Sequence, residues 1–336
     1  MNILITGASG FIGSYMVEHA LLQGFEVWAA VRSTSSRRYL QDKRIHFIEL
    51  DLGHDDRLQA ELEAHVKVHV PFDHVIHAAG ATKCRKAEDF FTVNAEGTRR
   101  LALMLRKTGA LKEGGRFVFI SSLSVCGPVH EKDYAPITLT DTPVPNTAYG
   151  CSKLLAESYL HDVPGLNYVV LRPTGVYGPR ERDYFMMAQS IKRHLDFAVG
   201  YKPQVLTFIY VDDLVQAAFL ALEKGRCGRA YFLTDGGTYT SRTFSDLLQM
   251  ELGVRYVLHI VAPLWVLRAV SFVAEHAARL TGKTSTLNAD KYRIMRQRNW
   301  KCDITPAREE LGYTPHWPLT RGVRAAVAWY QEHHWL

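Results

Sequence analysis

The sequence lacks the features that mark nucleic-acid-binding and membrane-spanning proteins. Its 336 residues carry a formal net charge of +6, yet lysine and arginine never form a continuous basic block, so we predict no nucleic-acid partner. No apolar run reaches the roughly 18 residues that a spanning helix needs. The N-terminus shows no charged region followed by an apolar stretch and a cleavage site, so we expect no signal peptide.

Metal-binding and redox motifs are lacking as well. The five cysteines, at positions 84, 126, 151, 227 and 302, form no C-x-x-C pair, which argues against a zinc site or a dithiol redox site. Their odd number and wide spacing predict reduced thiols and a cytoplasmic location. His65 and His69 have the i, i+4 spacing of two metal ligands, but no third ligand has a defined relation to them. We therefore predict no metal and a surface helix at these histidines.

One long segment, from Val257 to Ala278, is strongly apolar but is interrupted by charged residues, histidines and a proline. Two interpretations stay open. The favoured one is a buried or cleft-lining helix. The other is a surface in peripheral contact with lipid or with an apolar substrate.

The sequence does have a regular alternation of strand-like and helix-like segments up to about residue 175. The predicted strands are 2–6, 26–31, 46–50, 74–78, 116–121 and 167–172. The predicted helices are 11–23, 55–67, 87–107 and 149–161. Such alternation is typical of βαβ units, with a parallel sheet and helices on both faces. Residues 205–210 and 230–233 are predicted to return to the sheet edge, and the proline-rich residues 127–147 to form a functional loop.

The first predicted strand ends in a glycine-rich turn, Thr6-Gly7-Ala8-Ser9-Gly10-Phe11-Ile12-Gly13. In a strand–turn–helix unit the first glycine permits the tight turn, the second lets backbone approach a pyrophosphate, and the third lets the helix pack closely. The N–H groups at the start of the helix then face the phosphates. This pattern predicts a dinucleotide site formed by Gly7, Ser9, Gly10, Phe11, Ile12 and Gly13.

The second predicted strand ends without an acidic residue. Folds that prefer NAD place an Asp or Glu about 20 residues after the glycine turn, on the ribose hydroxyls. Here that region holds Arg32, Arg37 and Arg38. Because guanidinium groups form charge-assisted bonds to a 2′-phosphate, we predict NADP(H) bound by Arg32 and Arg37, with NAD(H) as the alternative. The arginines could instead belong to a solvated loop.

Asp51 and Leu52 follow the third predicted strand. The Asp51 carboxylate could accept a bond from the adenine amino group, or it could cap the next helix.

Tyr149 and Lys153 lie four residues apart on one face of a predicted helix. A free tyrosine has a pKa near 10, and a neighbouring ammonium group is expected to lower it, which makes the phenol a usable acid or base. Ser122 follows the strand 116–121, at the sheet edge where ligands bind in such folds. Its hydroxyl could stabilise charge on a substrate oxygen.

These motifs together resemble the extended short-chain dehydrogenases/reductases of the NAD-dependent epimerase/dehydratase family. The resemblance runs along most of the chain. Its further motifs are His77-Ala78-Ala79-Gly80, Val93-Asn94-Ala95-Glu96-Gly97-Thr98, Ser121-Ser122-x-Ser124, Arg172-Pro173, Val176-Tyr177-Gly178-Pro179, Tyr210-Val211-Asp212-Asp213-Leu214 and Leu311-Gly312-Tyr313.

The resemblance implies specific roles for several residues. Ser122, Tyr149 and Lys153 would be the catalytic trio, and Asn94 would organise the site. Near the cofactor would lie Ala78, Ala79, Gly80, Lys153 and Pro173. The fold implied is α/β, a Rossmann-type doubly wound parallel sheet with a small, mainly helical C-terminal substrate lobe. We place the cofactor-binding domain at 1–175 plus about 205–235 and the lobe at 176–204 and 236–336. Family members often form homodimers, which we also expect here.

Two departures bear on the branch within the family. Cys126 replaces a common tyrosine, and Thr174-Gly175 stand where many nucleotide-sugar epimerases have an asparagine that contacts the sugar diphosphate. The segments around Arg32 and Arg172 look closer to dihydroflavonol reductases and 3β-hydroxysteroid dehydrogenases. This similarity favours an NADP(H)-dependent oxidoreductase that interconverts a ketone and a secondary alcohol on an apolar small molecule, sterol-like, long-chain or polycyclic.

Two alternatives remain. One is an NAD-dependent nucleotide-sugar epimerase or dehydratase. The other is a dinucleotide-sensing protein without chemistry, which the presence of Ser122, Tyr149 and Lys153 disfavours.

Overall fold

The computed structural model describes residues 1–271 and 289–336. The strands are β1 (Asn2–Thr6), β2 (Glu26–Val31), β3 (Ile45–Glu49), β4 (Phe72–His77), β5 (Leu111–Ile120), β6 (Asn167–Pro173), β7 (Gly175–Tyr177), β8 (Leu195–Val199), β9 (Val205–Leu206), β10 (Phe208–Tyr210), β11 (Arg229–Leu233), β12 (Tyr239–Thr240) and β13 (Leu258–Ala262). The helices are α1 (Phe11–Leu22), α2 (Asp55–Val68), α3 (Ala87–Phe90), α4 (Gly97–Lys107), α5 (Ala148–His161), α6 (Asp183–Lys192), α7 (Val211–Lys224), α8 (Thr243–Glu251), α9 (Ala289–Arg296) and α10 (Leu319–Glu332). Residues 264–271 are also helical.

Seven parallel strands form the main sheet, in the order β3-β2-β1-β4-β5-β6-β11. The strand order reverses between β1 and β4, and ligands bind in such sheets at the carboxyl ends of the strands beside this reversal. The predicted strands up to residue 172 and at 230–233 are confirmed within a few residues at each end. The Rossmann-type doubly wound fold is therefore confirmed.

The sheet is buried on both faces, which explains its near-continuous apolar strands. All five residues of β1 are buried. One face packs on α1 and α7, with Ile3, Ile5 and Val17 in its core. The other face packs on α2, α4 and α5, where Leu101 and Leu105 are fully buried. Each such leucine contributes about 1.5–3 kcal/mol through burial.

The expectation that residues 205–210 join the sheet edge is wrong. Thr207 separates β9 from β10, and its hydroxyl donates to the Trp300 carbonyl oxygen (2.6 Å). β10 then pairs with β7, and β9 pairs with β12. The edge of the main sheet is occupied by β11, which pairs with β6 along its whole length.

The predicted helix 87–107 is interrupted by a wider π-helical turn, Phe91–Glu96. Such turns insert one residue into a helix and occur frequently at functional sites. The predicted loop 127–147 contains neither helix nor strand, as expected. It is held against residues near the C-terminus, because the N–H of Ile137 donates to the Lys301 carbonyl oxygen and the carbonyl of Ile137 accepts from Asp303.

Two smaller predictions also need correction. The segment from Val257 begins as strand β13 rather than as a helix, since Leu258–Ala262 pair with β8; its part beyond residue 271 lies outside the described residues. His65 is not on a surface, because its ring is buried between Trp28 and Phe72. Among the described residues no group of His, Cys, Asp or Glu could hold a metal ion.

Candidate active site

The glycine turn between β1 and α1 has the close approaches that its sequence predicts. Gly7 has a φ of 69°, and a Cβ there would lie 2.7 Å from the Ala78 carbonyl group. A Cβ on Gly13 would clash with the Gly7 carbonyl oxygen. Both positions therefore exclude any side chain. The N-cap residue of α1 is Gly10, so no side chain caps the first N–H groups, which remain available to a phosphate.

The other predicted residues of the turn lie around these N–H groups. Ser9, Phe11 and Ile12 are partly exposed, and Gly10 is exposed. No acidic residue stands in the first turn of α1. A pyrophosphate therefore fits this end of the helix in both shape and charge.

The loop after β2 presents Arg32 and Arg37 to solvent. The Arg37 guanidinium lies 4.2 Å from the centre of the Phe47 ring. The backbone N–H of Arg32 donates to the Ser35 hydroxyl (2.9 Å). Sequence reasoning missed one acidic group here. Glu49, the last residue of β3, accepts a bond from the Ser33 N–H (3.2 Å). The register of β2 and β3 pairs Val31 with Glu49. That register was the signal that would have placed Glu49 beside this loop.

Asp51 lies in the turn before α2 rather than at its N-cap, which is His54. Its carboxylate accepts from the Gly53 N–H (2.9 Å) and contacts the His54 ring (2.8 Å), and these two bonds hold the pKa of Asp51 below its usual range. The capping alternative is therefore not realised. Leu52 is partly exposed beside it.

A chain of hydrogen bonds connects the loop after β4 with the π-helical turn. The Ala79 N–H donates to the Thr6 hydroxyl (3.3 Å), which lies 2.6 Å from His77 Nδ1. His77 Nε2 lies 2.8 Å from the Thr98 hydroxyl, which donates to the Asn94 carbonyl oxygen (2.6 Å). The Thr98 hydroxyl already donates to Asn94, so it must accept from His77 Nε2. These bonds are therefore consistent only with a neutral His77 that carries its proton on Nε2. Burial, followed by the charge of Lys153, lowers the pKa of His77 to about 3.

Asn94 is fully buried on the π-helical turn. Its Oδ1 accepts from the Ala81 N–H (2.7 Å), and its Nδ2 donates to the Ala81 carbonyl oxygen (3.0 Å) and to the Ser152 hydroxyl (3.0 Å). A Cβ on Gly80 would lie 3.1 Å from Asn94 Oδ1 and 3.2 Å from Lys153 Nζ. Asn94 and Gly80 thus bring the loop after β4 against the helix that carries Lys153.

Helix α5 begins where its sequence provides a cap. The Thr147 hydroxyl accepts from the Gly150 N–H (3.0 Å), which fixes the first turn and therefore the position of Tyr149. The backbone N–H of Tyr149 donates to the carboxylate of Asp290 (3.2 Å), a residue of α9 that sequence reasoning did not single out. A carboxylate at this end of a helix is favoured by the helix dipole.

The predicted trio does come together at the carboxyl edge of β5. Burial raises the pKa of Tyr149, and a hydrogen bond with Ser122 opposes that effect. Lys153 is buried, and its Nζ donates to the Ile120 carbonyl oxygen (2.8 Å). Burial lowers the pKa of Lys153 to about 8, against the charge of Glu157. The lowering of the Tyr149 pKa that the sequence suggested is therefore not produced by the chain's own groups.

A buried ion pair behind the trio was not foreseen. Glu157 accepts bonds from Arg172 Nη2 (2.6 Å) and from the hydroxyl of Ser121, the residue before Ser122. Burial opposes the charge of Arg172, but Glu157 keeps the pKa of Arg172 above its usual range. Pro173, next to Arg172, ends β6 at the same sheet edge. The available signal was the position of Glu157, one helical turn beyond Lys153.

Comparison with known proteins agrees with this fold. The family model described as "NAD dependent epimerase/dehydratase family" matches residues 3–233. Sterol demethylase protein B of Methylococcus capsulatus is 27% identical over 99% of both chains. The dTDP-glucose 4,6-dehydratase of Streptomyces antibioticus is 27% identical over 99% of this chain and 93% of its own. The solved UDP-glucose 4-epimerase of Thermotoga maritima, with UDP-glucose, has a TM-score of 0.80 and 25% identity, covering 99% of this chain and 100% of that one.

The fold and these relatives define the class, an NAD(P)-dependent oxidoreductase of the extended short-chain dehydrogenase/reductase type. The chain belongs to the NAD-dependent epimerase/dehydratase family.

Proposed function

We propose that this protein is an NADP(H)-dependent reductase or dehydrogenase that interconverts a ketone and a secondary alcohol on an apolar substrate. The observation that carries the proposal is the convergence of Ser122, Tyr149 and Lys153 beside the loop that follows β4. Bound NADP(H) supplies or accepts the hydride. The chain itself supplies the proton, the oxygen-binding hydroxyl and the positioning.

In this proposal Tyr149 transfers its phenolic proton to the substrate oxygen, and the Ser122 hydroxyl holds that oxygen. Lys153 uses one of its three N–H donors on the Ile120 carbonyl, which leaves two for the cofactor ribose. Asn94 acts as a positioning residue, because its amide is occupied by Ala81 and Ser152.

The cofactor contacts follow the same edge of the sheet. The turn from Gly7 to Gly13 would hold the pyrophosphate, and Asp51, with Leu52, would contact the adenine. Ala78, Ala79, Gly80 and Pro173 would line the path to the nicotinamide ring. Gly7 lies close to the backbone of Ala78, and Gly80 lies close to Lys153 Nζ. Both contacts support this path.

The preference for NADP(H) rests on Arg32 and Arg37, and Glu49 is the group that opposes it. We expect NADPH to bind at least tenfold more tightly than NADH, about 1.4 kcal/mol. Arg32→Ala and Arg37→Ala should each weaken NADPH binding and leave NADH binding nearly unchanged, because only NADPH has the 2′-phosphate. Arg38→Ala is the matched control, since Arg38 is an exposed arginine of the same loop that the proposal does not assign to the phosphate.

Fluorescence titration of each nucleotide into the cofactor-stripped protein measures these affinities. Equal or tighter binding of NADH would contradict the NADP(H) preference, and it would also favour the epimerase alternative. An equal effect of all three alanine variants on both nucleotides would show that the arginines act only through the loop.

The substrate class is supported by the relative from M. capsulatus, whose name refers to sterols, and by the groups around Tyr149. The Phe90 ring packs edge-on against the Tyr149 ring, with 6.1 Å between centroids. The segment from Val257 to Ala278, predicted to be a buried or cleft-lining helix, gives less support, because Leu258 and Trp265 are largely exposed. Phe272 and Val273 of that prediction lie outside the described residues.

An NAD-dependent nucleotide-sugar epimerase or dehydratase is the second candidate, favoured by the similarity to the S. antibioticus dehydratase. Thr174 and Gly175, which stand where many such epimerases have an asparagine that contacts the sugar diphosphate, argue against this candidate. The Thr174 hydroxyl donates to the Thr207 carbonyl oxygen (2.8 Å), and Gly175 has no side chain to offer. Next to Ser122, Leu123 is buried and Ser124 provides no carboxylate for a dehydratase.

Three further predictions, on assembly, location and the state of the thiols, complete the proposal. We propose a homodimer that uses the α5 face with Leu154, Leu155 and Ser158, and a cytoplasmic location with all five thiols reduced. No residue that the structure describes belongs to a helix long and apolar enough to span a membrane.

A further inference from the structure

A small parallel ribbon, formed by β8 and β13, carries one entirely apolar face. Paired residues on adjacent parallel strands point to the same side of a sheet. The pairs Leu195–Leu258, Phe197–Ile260 and Val199–Ala262 therefore share one face. The pairs Asp196–His259 and Ala198–Val261 lie on the other face.

The Asp196 face is the inner one. Asp196 is buried, and its carboxylate accepts bonds from the Ser245 hydroxyl of α8 (3.0 Å) and from His259 Nδ1 (3.0 Å). Helix α8 thus contacts this side at Asp196, while Val261 on the same side is 39% exposed. The apolar side points the opposite way, and there Phe197 is 58% exposed and Leu258 61% exposed.

Aromatic side chains extend this apolar face at both ends. Tyr256 precedes β13, and its ring stacks on His194 with 4.6 Å between centroids. Beyond the other end, the Gly200 N–H donates to the Ala262 carbonyl oxygen (2.9 Å), which keeps Tyr201 close to the segment with Trp265. Tyr201, Tyr256 and Trp265 are all strongly exposed. We call this surface, Phe197, Tyr201, Tyr256, Leu258, Ile260 and Trp265, the ribbon patch.

Within the two segments that form the ribbon patch, the exposed charges are basic. The two segments that form it, 192–202 and 252–271, contain a single carboxylate, Asp196, which is turned inward. They also contain exposed basic residues: Lys192, Arg193, Lys202, Arg255 and Arg268. An apolar, aromatic surface with a basic rim is complementary to the surface of an anionic bilayer.

We propose that the ribbon patch docks this protein on membranes that contain anionic lipids. Tyr and Trp would lie at the headgroup level, the aliphatic residues of the ribbon would enter the acyl boundary, and the lysines and arginines would contact lipid phosphates. A second copy of this chain is a poorer occupant, because a two-fold contact would place the same basic rim against itself. The proposal goes beyond the proposed reaction and does not depend on it, since docking is measured without turnover.

Co-sedimentation of the full chain with vesicles tests the proposal. Vesicles of phosphatidylcholine mixed with phosphatidylglycerol should bind the protein, and binding should weaken as salt is added. Vesicles of phosphatidylcholine alone should bind it much less. Trp265→Glu and Leu258→Glu should each lower binding about tenfold or more, and Lys202→Ala and Arg255→Ala about fivefold each.

Leu22→Glu is the matched control, because Leu22 is 82% exposed on α1, outside the ribbon patch. It should leave vesicle binding unchanged. Thermal unfolding and NADPH affinity, measured for every variant, separate loss of docking from loss of folding. Light scattering in the absence of vesicles measures self-association.

Several results would overturn the proposal. One is wild-type protein that does not sediment with the anionic vesicles. Another is equal loss of binding in Leu22→Glu and Trp265→Glu. A third is a dimer that Trp265→Glu dissociates, which would make the ribbon patch a contact between copies. Failure of the NADPH preference would leave the docking result untouched, so the two proposals are tested separately.

Discussion

At the residue scale, His77 shows how a buried group connects stability with pH. Its pKa in the folded protein, about 3, lies below the ordinary value of 6.5. Between these two pH values, His77 is protonated in the unfolded chain and neutral in the folded protein. The stability that neutral His77 provides is therefore complete above pH 6.5 and is lost as pH falls towards 3, at about 1.4 kcal/mol per pH unit.

We predict that His77→Gln removes this part of the pH dependence. Between pH 6.5 and pH 5, urea unfolding should show that the wild type loses roughly 2 kcal/mol more than the variant. The variant should be less stable at pH 7, because the bonds to Thr6 and Thr98 change. The exposed His334→Gln serves as control. If wild type and His77→Gln lose the same amount, His77 is not a neutral link in the chain from Ala79 to Asn94.

Residue types in the local sequence were sufficient to predict the tight glycine turn at Gly7 and Gly13. They were also sufficient to single out Ser122, Tyr149 and Lys153, which lie at the carboxyl end of β5. They were insufficient for groups whose roles come from distant contacts. Glu49 depends on the register of β2 against β3, and Asp290 reaches Tyr149 from a helix 141 residues further along the chain. No periodicity or motif contains such pairings.

At the element scale, a buried ion pair connects helix α5 to the sheet. Glu157 of α5 pairs with Arg172 of β6 and holds Ser121 at the end of β5. Both side chains of the ion pair are mostly buried, at 11% exposure for Arg172 and 8% for Glu157. Removing one partner would leave a buried charge without compensation.

We predict that Glu157→Gln lowers the free energy of unfolding by about 3–5 kcal/mol. Asp246→Asn, which breaks the exposed pair of Asp246 with Arg242, should lower it by less than about 1 kcal/mol. Chemical denaturation at neutral pH measures both. Similar small losses in the two variants would show that the link between α5 and β6 is weaker than its geometry indicates.

Elements whose own residues display their burial were predictable, and elements defined by their partners were not. The strands of the main sheet are buried on both faces and are therefore apolar throughout, which the sequence displays directly. Residues 205–210 have the same apolar character, but β11 occupies the sheet edge and leaves them to pair with β7 and β12. Likewise, β13 was mistaken for part of a helix, because short apolar runs do not distinguish the two.

At the scale of the whole molecule, the glycine turn, the loop after β4 and helix α5 meet at the carboxyl edge of one parallel sheet. That arrangement followed from the sequence because βαβ connections bring every strand end to the same side. The substrate did not follow, because we expect its binding surface to come from residues 176–204 and 236–336, where the sequence has little period.

The central claim is a net redox reaction, with Tyr149 as the acid or base. The direct measurement is nicotinamide absorbance while the protein acts on a panel of apolar ketones and of UDP- and dTDP-sugars. We predict loss of NADPH absorbance in proportion to the alcohol formed from an apolar ketone, and a fall of a hundredfold or more in kcat for Tyr149→Phe, about the contribution of general acid catalysis. Conversion of a nucleotide sugar with no net change in absorbance, or Tyr149→Phe protein as active as the wild type, would contradict the account.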